Sequence, residues 1–158
     1  MNKPEFVYVT YIATTPEKLW AALTDGAFTR TYWYDRRIES AWTVGAPIRF
    51  YDGGSDVVTD GGTVLECDPP RRLVYSFQPQ WSAEARALPT SRVSFTLEPH
   101  EGMVKLTLLH DELKSDDLAQ KIGEGWPTIL SSLKSLLETG TPLPRINKLV
   151  EQGKPEAR

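Results

Sequence analysis

The sequence has few of the residues that most often carry chemistry or covalent structure. Its 158 residues include one cysteine, Cys67, and two histidines, His100 and His110. A single cysteine cannot form an internal disulfide framework or a cysteine-based metal site. His100, in the predicted hairpin turn between the last two strands, and His110, at the far end of the last strand, should lie roughly 30 Å apart at about 3.3 Å per residue. No glycine run fits a phosphate loop or a dinucleotide-binding motif, so we expect no metal centre and no cofactor. A lone thiol is also typical of a reducing compartment, which favours a cytoplasmic protein.

Long apolar runs and a strong charge of one sign are lacking as well. No apolar stretch approaches the roughly 20 residues that cross a bilayer, and residues 1–5 show no apolar segment typical of a signal peptide. The formal net charge is -3, without the clustered Lys and Arg that bind nucleic acid. We therefore expect neither a membrane span nor a nucleic-acid partner.

The composition that remains is that of one globular domain. Hydrophobic residues make up 40% of the chain and charged residues 25%, a balance typical of folded water-exposed proteins. The length suffices for one core and is short for two ordinary domains. We predict a single domain over residues 1–140 and a polar tail over residues 141–158.

The first part of the chain predicts one strand and two short helices. The β-branched and aromatic run Phe6–Ile12 predicts a strand with much of both faces buried. Thr15 followed by Pro16 is a helix-start signal, because threonine caps free N–H groups and proline fits the first helical position. A second short helix is expected to carry Phe28, Tyr32 and Trp33.

From Ile38 to His110 the hydrophobic pattern changes to a period of two residues. Turn signals recur about every ten residues, which predicts a series of antiparallel strands. In the last three strands, the alternate positions on one face are nearly all apolar, whereas the other face carries Ser, Thr and Lys. The apolar face consists of Leu73, Tyr75 and Phe77, then Val93, Phe95 and Leu97, then Val104, Leu106, Leu108 and His110.

A long helix after these strands is expected to cover the apolar face. Its apolar residues recur at helical spacing from Leu118 to Leu137, after acidic residues that suit a helix N-terminus. These elements predict an α+β fold: a curved six- or seven-stranded antiparallel sheet wrapped around a long C-terminal helix, with two short helices after the first strand. Such packing leaves a hollow between helix and sheet that suits a ligand.

The stretch "GEGWP" at residues 123–127 lies inside this long helix. Two glycines and a proline weaken a helix, since proline removes a hydrogen bond and glycine loses more backbone entropy on folding. We predict a kink or break that divides Asp116–Ile122 from Trp126–Thr139. The Trp126 side chain should then face the sheet near the mouth of the hollow.

Several segments resemble a known family. They are "TPEKLWAALTD", "GGTVLECDPPRRLVYSF" and "GWPTILSSLKSLLETG", together with Trp33. They resemble the START-like helix-grip (SRPBCC) superfamily, and within it the bacterial single-domain homologues of the activator of Hsp90 ATPase, the Aha1-type domain. The resemblance covers roughly Phe6 to Gly140. It implies a cavity that various members use for lipids, polyketides or plant hormones, and it raises an Hsp90-type chaperone as a partner.

The expected cavity lining combines aromatic residues with two polar ones. We predict that it consists of Trp33, Phe50, Glu66, Tyr75, Phe77, Trp81, Leu108, His110, Trp126 and Leu130. For Trp33, Trp81 and Trp126, ordinary core packing is an equally open interpretation. His110 either binds a ligand's polar end or moves a proton, or it bonds to the end of its own strand.

Two groups of acidic residues have competing interpretations. Glu66 either points into the cavity or faces outward and pairs with a basic residue such as Arg72. The run Asp52–Asp60 is rich in glycine and acid but lacks the spacing of a calcium loop, so we predict a turn there.

Three functions follow as expectations. The first is a binding module for a small apolar or amphipathic molecule. The second is a polyketide cyclase-like enzyme with His110 as acid or base, and the third is an interaction protein that stimulates a chaperone ATPase. For assembly, a monomer or a weak homodimer is expected.

Overall fold

A computed structural model describes residues 4–80 and 82–144, without the side chains at positions 118, 119, 121 and 122. It confirms the predicted α+β fold, with one seven-stranded antiparallel sheet and a long helix after the last strand. The elements are β1 (Phe6–Ile12), α1 (Pro16–Thr24), α2 (Gly26–Tyr32), β2 (Arg36–Ser40), β3 (Pro47–Asp52), β4 (Val58–Asp68), β5 (Arg72–Pro79), α3 (Ala83–Arg86), β6 (Ser91–His100), β7 (Met103–Asp111) and α4 (Asp116–Thr139).

The strand order places the first and last strands side by side. The order across the sheet is β1-β7-β6-β5-β4-β3-β2, so β1 and β2 form its two edges. Strands β2 to β7 follow one another as neighbours, as expected where short turns connect antiparallel strands. The predicted hairpin between β6 and β7 is present, and its turn is Glu101–Gly102, both with positive φ.

Strand β1 differs from its prediction. Its burial alternates, and the outer side chains of Val7, Val9 and Tyr11 are 52%, 46% and 41% exposed. The expectation of burial on both faces is wrong because β1 is an edge strand whose outer side chains point away from the helices. The end of this edge is bonded to α4: Lys134 Nζ donates to the Tyr11 carbonyl at 2.6 Å, and Glu138 Oε2 accepts from the Ala13 N–H at 2.8 Å.

Helix α1 begins where the sequence indicates, and α2 contains Phe28 and Tyr32 as expected, with Trp33 just after its last residue. Thr15 Oγ1 accepts a hydrogen bond from the Lys18 N–H, and Pro16 takes the first helical position of α1. The Asp25 carboxylate caps α2 by accepting from the Ala27 N–H. The segment between β5 and β6 contains the short helix α3, which Ser82 caps.

Helix α4 covers the inner face of the sheet. Trp126, Ile129, Leu130 and Leu133 are buried in the common core, whereas the predicted stripe members Leu118 and Ile122 lie outside the described side chains. The helix runs unbroken through Pro127, so the predicted break is wrong, whereas the alternative of a kink at residues 123–127 stays a prediction. Proline removes one hydrogen bond, and burial of four large apolar side chains offsets that loss by several kcal/mol, at about 1.5–3 kcal/mol each.

Within the described residues, no helix has the length and apolar character needed to cross a membrane. The single-domain boundary at residue 140 stays a prediction, and residues 145–158 of the predicted tail lie outside the described part of the chain.

Candidate functional site

The inner face of the sheet, under α4, brings together most of the predicted site residues. Phe77 is half-buried, and Trp81 lies outside the described residues. The other inward members are buried: Trp33, Phe50, Tyr75, Leu108, His110, Trp126 and Leu130.

These side chains form a continuous inner aromatic cluster, which we define as Trp33, Phe50, Tyr75, Phe77, Phe95 and Trp126. The Trp33 ring centroid lies 5.1 Å from that of Phe50 and 5.2 Å from that of Trp126. Phe50 also contacts Tyr75 at 6.4 Å and Phe77 at 6.0 Å. These separations are typical of stacked and edge-to-face aromatic pairs. The predicted residues therefore pack on one another, which supports the core interpretation for the buried ones.

His110 lies in a buried hydrogen-bond network that joins three elements. Its side chain is on β7, and the residue is 1% exposed. The Trp126 indole N–H, from α4, donates to His110 Nδ1 at 3.0 Å. Because indole N–H is only a donor, Nδ1 must be unprotonated and Nε2 carries the proton of the neutral ring. Nε2–H therefore donates to Ser91 Oγ on β6 at 2.7 Å.

The network keeps His110 neutral. Burial lowers the pKa of His110 from 6.5 to about 4, although the nearby Asp111 carboxylate acts in the opposite direction. A protonated His110 ring would also carry a hydrogen on Nδ1. This N–H would point at the Trp126 indole N–H, so that two hydrogen-bond donors would face each other. Since both ring nitrogens are occupied, this geometry does not support the expected role of His110 as acid or base. The ring instead ties α4 to the sheet through Trp126.

Asp60 is a buried carboxyl group on the inner face. It lies on β4 directly opposite Phe50 of β3, and it is 7% exposed. Its Oδ2 atom is 3.7 Å from Arg36 Nε on β2, a charge pair longer than a hydrogen bond. Burial raises the pKa of Asp60 from 3.8 to about 6, and the Arg36 charge offsets part of that rise.

The Tyr75 hydroxyl is the other polar group in this region. Tyr75 is 1% exposed, and its Oη atom has no hydrogen-bond partner within the described part of the chain. Burial is the main cause that raises the pKa of Tyr75. The charges of Tyr32 and Asp60 add to that rise, which shows that both groups are within electrostatic reach. By contrast, the buried Tyr32 hydroxyl donates to the Ala22 carbonyl at 2.7 Å.

Glu66 does not belong to the inner face. It is exposed, and its Oε2 atom accepts from Arg72 Nε at 2.9 Å. The prediction that Glu66 points into the cavity is therefore wrong. The alternative prediction, in which Glu66 faces outward and pairs with Arg72, is correct. A register shift between Val64 and Glu66 breaks the simple alternation on which the inward placement depended.

The sequence did not single out Asp60, Arg36 or Ser91. The glycines after Asp60 favoured a turn, yet they lie inside β4, where a side chain at Gly62 would collide with the Ser76 backbone. The signal that could have found Asp60 is its alternation with Gly62 and Val64, which puts the three on one face.

A concave region lies outside the predicted site. It is an open groove of about 690 Å³ beside the junction of α1 and α2. Its lining consists of Thr24, Asp25, Gly26, Ile38, Glu39, Ser40, Ala41, Trp42, Pro47, Arg49 and Tyr51. None of the predicted site residues that the structure describes lines this groove.

Metal ligands do not converge in the described residues. No group of three or more His, Cys, Asp or Glu side chains among them is placed to hold a metal ion.

Comparison with protein families identifies one match. The model described as "Activator of Hsp90 ATPase homolog 1-like protein" matches residues 13–138, about four fifths of the chain. No curated protein matches the chain.

Solved structures with the same fold come from several organisms. The Aha1 dimer from Colwellia psychrerythraea is 23% identical with a TM-score of 0.69, and the match covers 86% of this chain and 97% of that one. CalU16 from Micromonospora echinospora is 20% identical with a TM-score of 0.68, over 97% of this chain and 87% of that one. An HSP90 activator from Plasmodium falciparum is 19% identical with a TM-score of 0.69, over 85% and 96%. At these identities the similarity shows the fold alone.

Proposed function

Because the chain belongs to the family of Activator of Hsp90 ATPase homolog 1-like proteins, we propose that it uses this fold as a binding domain. Its ligand is a small, mostly apolar molecule with one polar group, and the site lies between α4 and the inner face of the sheet. One observation carries this proposal: the buried Tyr75 hydroxyl, which is part of the inner aromatic cluster, has no hydrogen-bond partner within the described chain. The proposal keeps the expected cytoplasmic location.

A buried polar group without a hydrogen bond raises the free energy of the folded protein. A buried hydroxyl without a hydrogen bond costs about 1–3 kcal/mol relative to one that is paired. The hydroxyl of Tyr32, buried nearby, does have its hydrogen bond. A ligand that brings a hydrogen-bonding group to Tyr75 recovers this energy, and its apolar part gains contact with the aromatic rings.

The entrance of the site is best placed at Phe77. This residue is the half-buried member of the inner aromatic cluster, and its ring contacts both Phe50 and His110, at 6.0 and 5.7 Å. A ring with one side toward solvent can rotate outward at lower cost than the buried members. We infer that a ligand enters by displacing the Phe77 ring and then contacts the Trp126 ring from the side that faces the sheet.

The test is binding of N-phenyl-1-naphthylamine, a neutral apolar fluorophore. In the wild type its emission should rise in a saturable manner, with energy transfer from tryptophan. Phe77→Trp fills the entrance with a larger ring, so the apparent Kd should rise at least tenfold. The matched control is Val9→Trp, which adds the same ring to the outer face.

Three outcomes oppose the proposal. One is a failure of the probe to bind the wild type, and another is an equal loss of binding in Val9→Trp. The third is a loss in Trp42→Ala but not in Phe77→Trp, which would place the probe in the groove beside α1 and α2. Thermal melting of each variant confirms that it remains folded during the titration.

A second candidate is stimulation of an Hsp90 ATPase, which family membership favours. One structural neighbour is described as an HSP90 activator. Addition of excess protein to the Hsp90 of the same organism should raise its ATPase rate severalfold, and an unchanged rate would oppose this function. For the cyclase-like alternative, the occupied nitrogens of His110 provide no supporting geometry.

A further inference from the structure

We propose that Asp60 and Tyr75 form a polar subsite that selects a neutral hydroxyl group on a flat ring system. This inference depends on the proposed ligand-binding function and specifies the chemistry of the ligand's polar end. Nothing in the sequence pattern indicated either residue as a specificity determinant, since Asp60 was predicted in a turn and Tyr75 as part of an apolar lining.

The two polar groups flank the same aromatic ring. Asp60 lies opposite Phe50 in the β3–β4 register, and the Phe50 and Tyr75 ring centroids are 6.4 Å apart. Both residues belong to the face of the sheet that α4 covers, and both are more than nine-tenths buried. A flat ring that takes the place of Phe77 against Phe50 would therefore present its edge to the Asp60 carboxyl and to the Tyr75 hydroxyl.

The hydrogen-bonding capacity of this pair matches a hydroxyl. The Asp60 carboxylate only accepts hydrogen bonds. Thr59 provides one of them, whereas Arg36 Nε, at 3.7 Å, lies too far away to donate another, so acceptor capacity remains for a ligand. The Tyr75 hydroxyl can donate or accept. A ligand hydroxyl can donate to Asp60 and accept from Tyr75 at the same time, which a methyl group or an ammonium group cannot.

The surrounding charges favour a neutral ligand. The Arg36 side chain is 26% exposed and already balances the charge of Asp60. A carboxylate at the same place would meet the negative charge of Asp60 in a buried environment, where like charges repel strongly. A phenol or a ring alcohol avoids this repulsion.

The experiment compares three probes of equal ring size at pH 7: 2-naphthol, 2-methylnaphthalene and 2-naphthoate. Quenching of tryptophan fluorescence gives their Kd values, with competition against N-phenyl-1-naphthylamine as a second measurement. For the wild type, 2-naphthol should bind at least tenfold more tightly than either of the other probes. In Tyr75→Phe and in Asp60→Asn that preference should fall below threefold, with the Kd of 2-methylnaphthalene within twofold of the wild-type value.

The control is Tyr32→Phe, which removes a buried hydroxyl that already donates within the chain and should leave the preference unchanged. Equal binding of 2-naphthol and 2-methylnaphthalene by the wild type overturns the subsite, as does a preference that survives in both variants. If 2-naphthoate binds more tightly than 2-naphthol, Arg36 rather than the Asp60–Tyr75 pair recognises the ligand, and this result also overturns the subsite. If no neutral probe binds, the proposed function itself fails, whereas binding without preference defeats only the subsite.

Discussion

At the scale of single residues, two buried tyrosines offer a direct comparison. Tyr32 and Tyr75 are 0% and 1% exposed, yet within the described chain only the Tyr32 hydroxyl has a hydrogen bond. Removing a paired hydroxyl removes a hydrogen bond and leaves the Ala22 carbonyl unpaired. Removing an unpaired hydroxyl relieves a burial cost.

We predict that Tyr32→Phe lowers the free energy of unfolding by about 1 kcal/mol. Tyr75→Phe should leave it unchanged or raise it, because the lost hydroxyl has no partner among the described residues. Urea unfolding followed by circular dichroism measures both values. An equal loss in the two variants would show that the Tyr75 hydroxyl is satisfied in the free protein.

His110 and Asp60 have opposite effects on stability in acid. The folded pKa of His110 is lowered to about 4, so between pH 6.5 and 4 the unfolded chain binds more protons at this residue and stability falls as pH falls. The folded pKa of Asp60 is raised to about 6, so between pH 3.8 and 6 the native state binds more protons there and stability falls as pH rises. The two contributions oppose each other over pH 4–6.

We therefore predict that Asp60→Asn makes stability depend more strongly on pH. At pH 7 the variant should exceed the wild type by roughly 2–3 kcal/mol, since every tenfold difference in proton affinity between the folded and unfolded chain corresponds to about 1.4 kcal/mol. Near pH 4 the two should converge, because Asp60 is then protonated. Urea unfolding at each pH measures this, with exposed Glu17→Gln as the control. Parallel wild-type and Asp60→Asn profiles would contradict the prediction.

The sequence pattern predicts many of the inner-face residues but not the hydrogen bonds that they form. Period-two alternation placed Tyr75, Phe77 and His110 on the inner face, because that placement depends only on strand geometry. The Trp126–His110–Ser91 network joins α4, β7 and β6, and such a contact depends on how elements meet in space. Asp60 was missed because glycine favours turns in general, while here it serves a close approach of two strands.

At the scale of elements, helix α4 shows how glycine can serve packing. A side chain at Gly123 would come within 3.1 Å of the Phe6 ring on β1, whereas one at Gly125 meets nothing within 4 Å. Both glycines carry the same intrinsic penalty in a helix, about 1 kcal/mol relative to alanine. Only at Gly123 does the absence of a side chain permit a close contact with the sheet, and this contact offsets the helix penalty of glycine.

We predict that Gly125→Ala raises the free energy of unfolding by about 1 kcal/mol. Gly123→Ala should gain less or should destabilise, because the new methyl group must displace the Phe6 ring. Thermal and urea unfolding of the two single variants measure the difference, and each serves as the control for the other. Equal gains would show that α4 has room to move away from β1.

The predicted elements were largely correct, and the errors share a cause. Strands were recovered because alternation and turn residues are local signals, and the start of α1 because its cap is local too. The break at Pro127 was wrong because a local penalty was outweighed by burial of Trp126, Ile129, Leu130 and Leu133 against the sheet. The burial of β1 was overestimated because edge position depends on sheet order, which the sequence of one strand does not contain.

At the scale of the whole molecule, the free edge of the sheet is a candidate surface for self-association. Strand β1 exposes Val7, Val9 and Tyr11 on its outer side, and an exposed edge strand can pair with a second copy. Lys134 and Glu138 of α4 bond to the Tyr11 carbonyl and the Ala13 N–H. These two bonds occupy backbone groups that edge pairing with another chain would need.

We predict that Lys134→Ala combined with Glu138→Ala shifts the protein toward a dimer at micromolar concentration. Sedimentation velocity measures the shift, and the double variant Glu17→Ala, Lys18→Ala on exposed α1 is the charge-matched control. Adding Val9→Lys to the associating variant should restore the monomer, since the two lysines would lie opposite each other. Association that is unaffected by Val9→Lys would place the interface elsewhere.

The neighbouring positions of β1 and β7 also bear on synthesis of the protein in the cell. The hydrogen bond between Ala13 and Glu138 joins residues 125 positions apart, and β1 has β7 as its strand neighbour. As the chain leaves the ribosome, β1 therefore has no native partner until nearly all later elements have emerged. Folds dominated by such distant contacts form slowly, and unpaired strands are prone to aggregate in the interval. The nascent chain should thus depend on protection of residues 6–12 for most of the time that its translation takes.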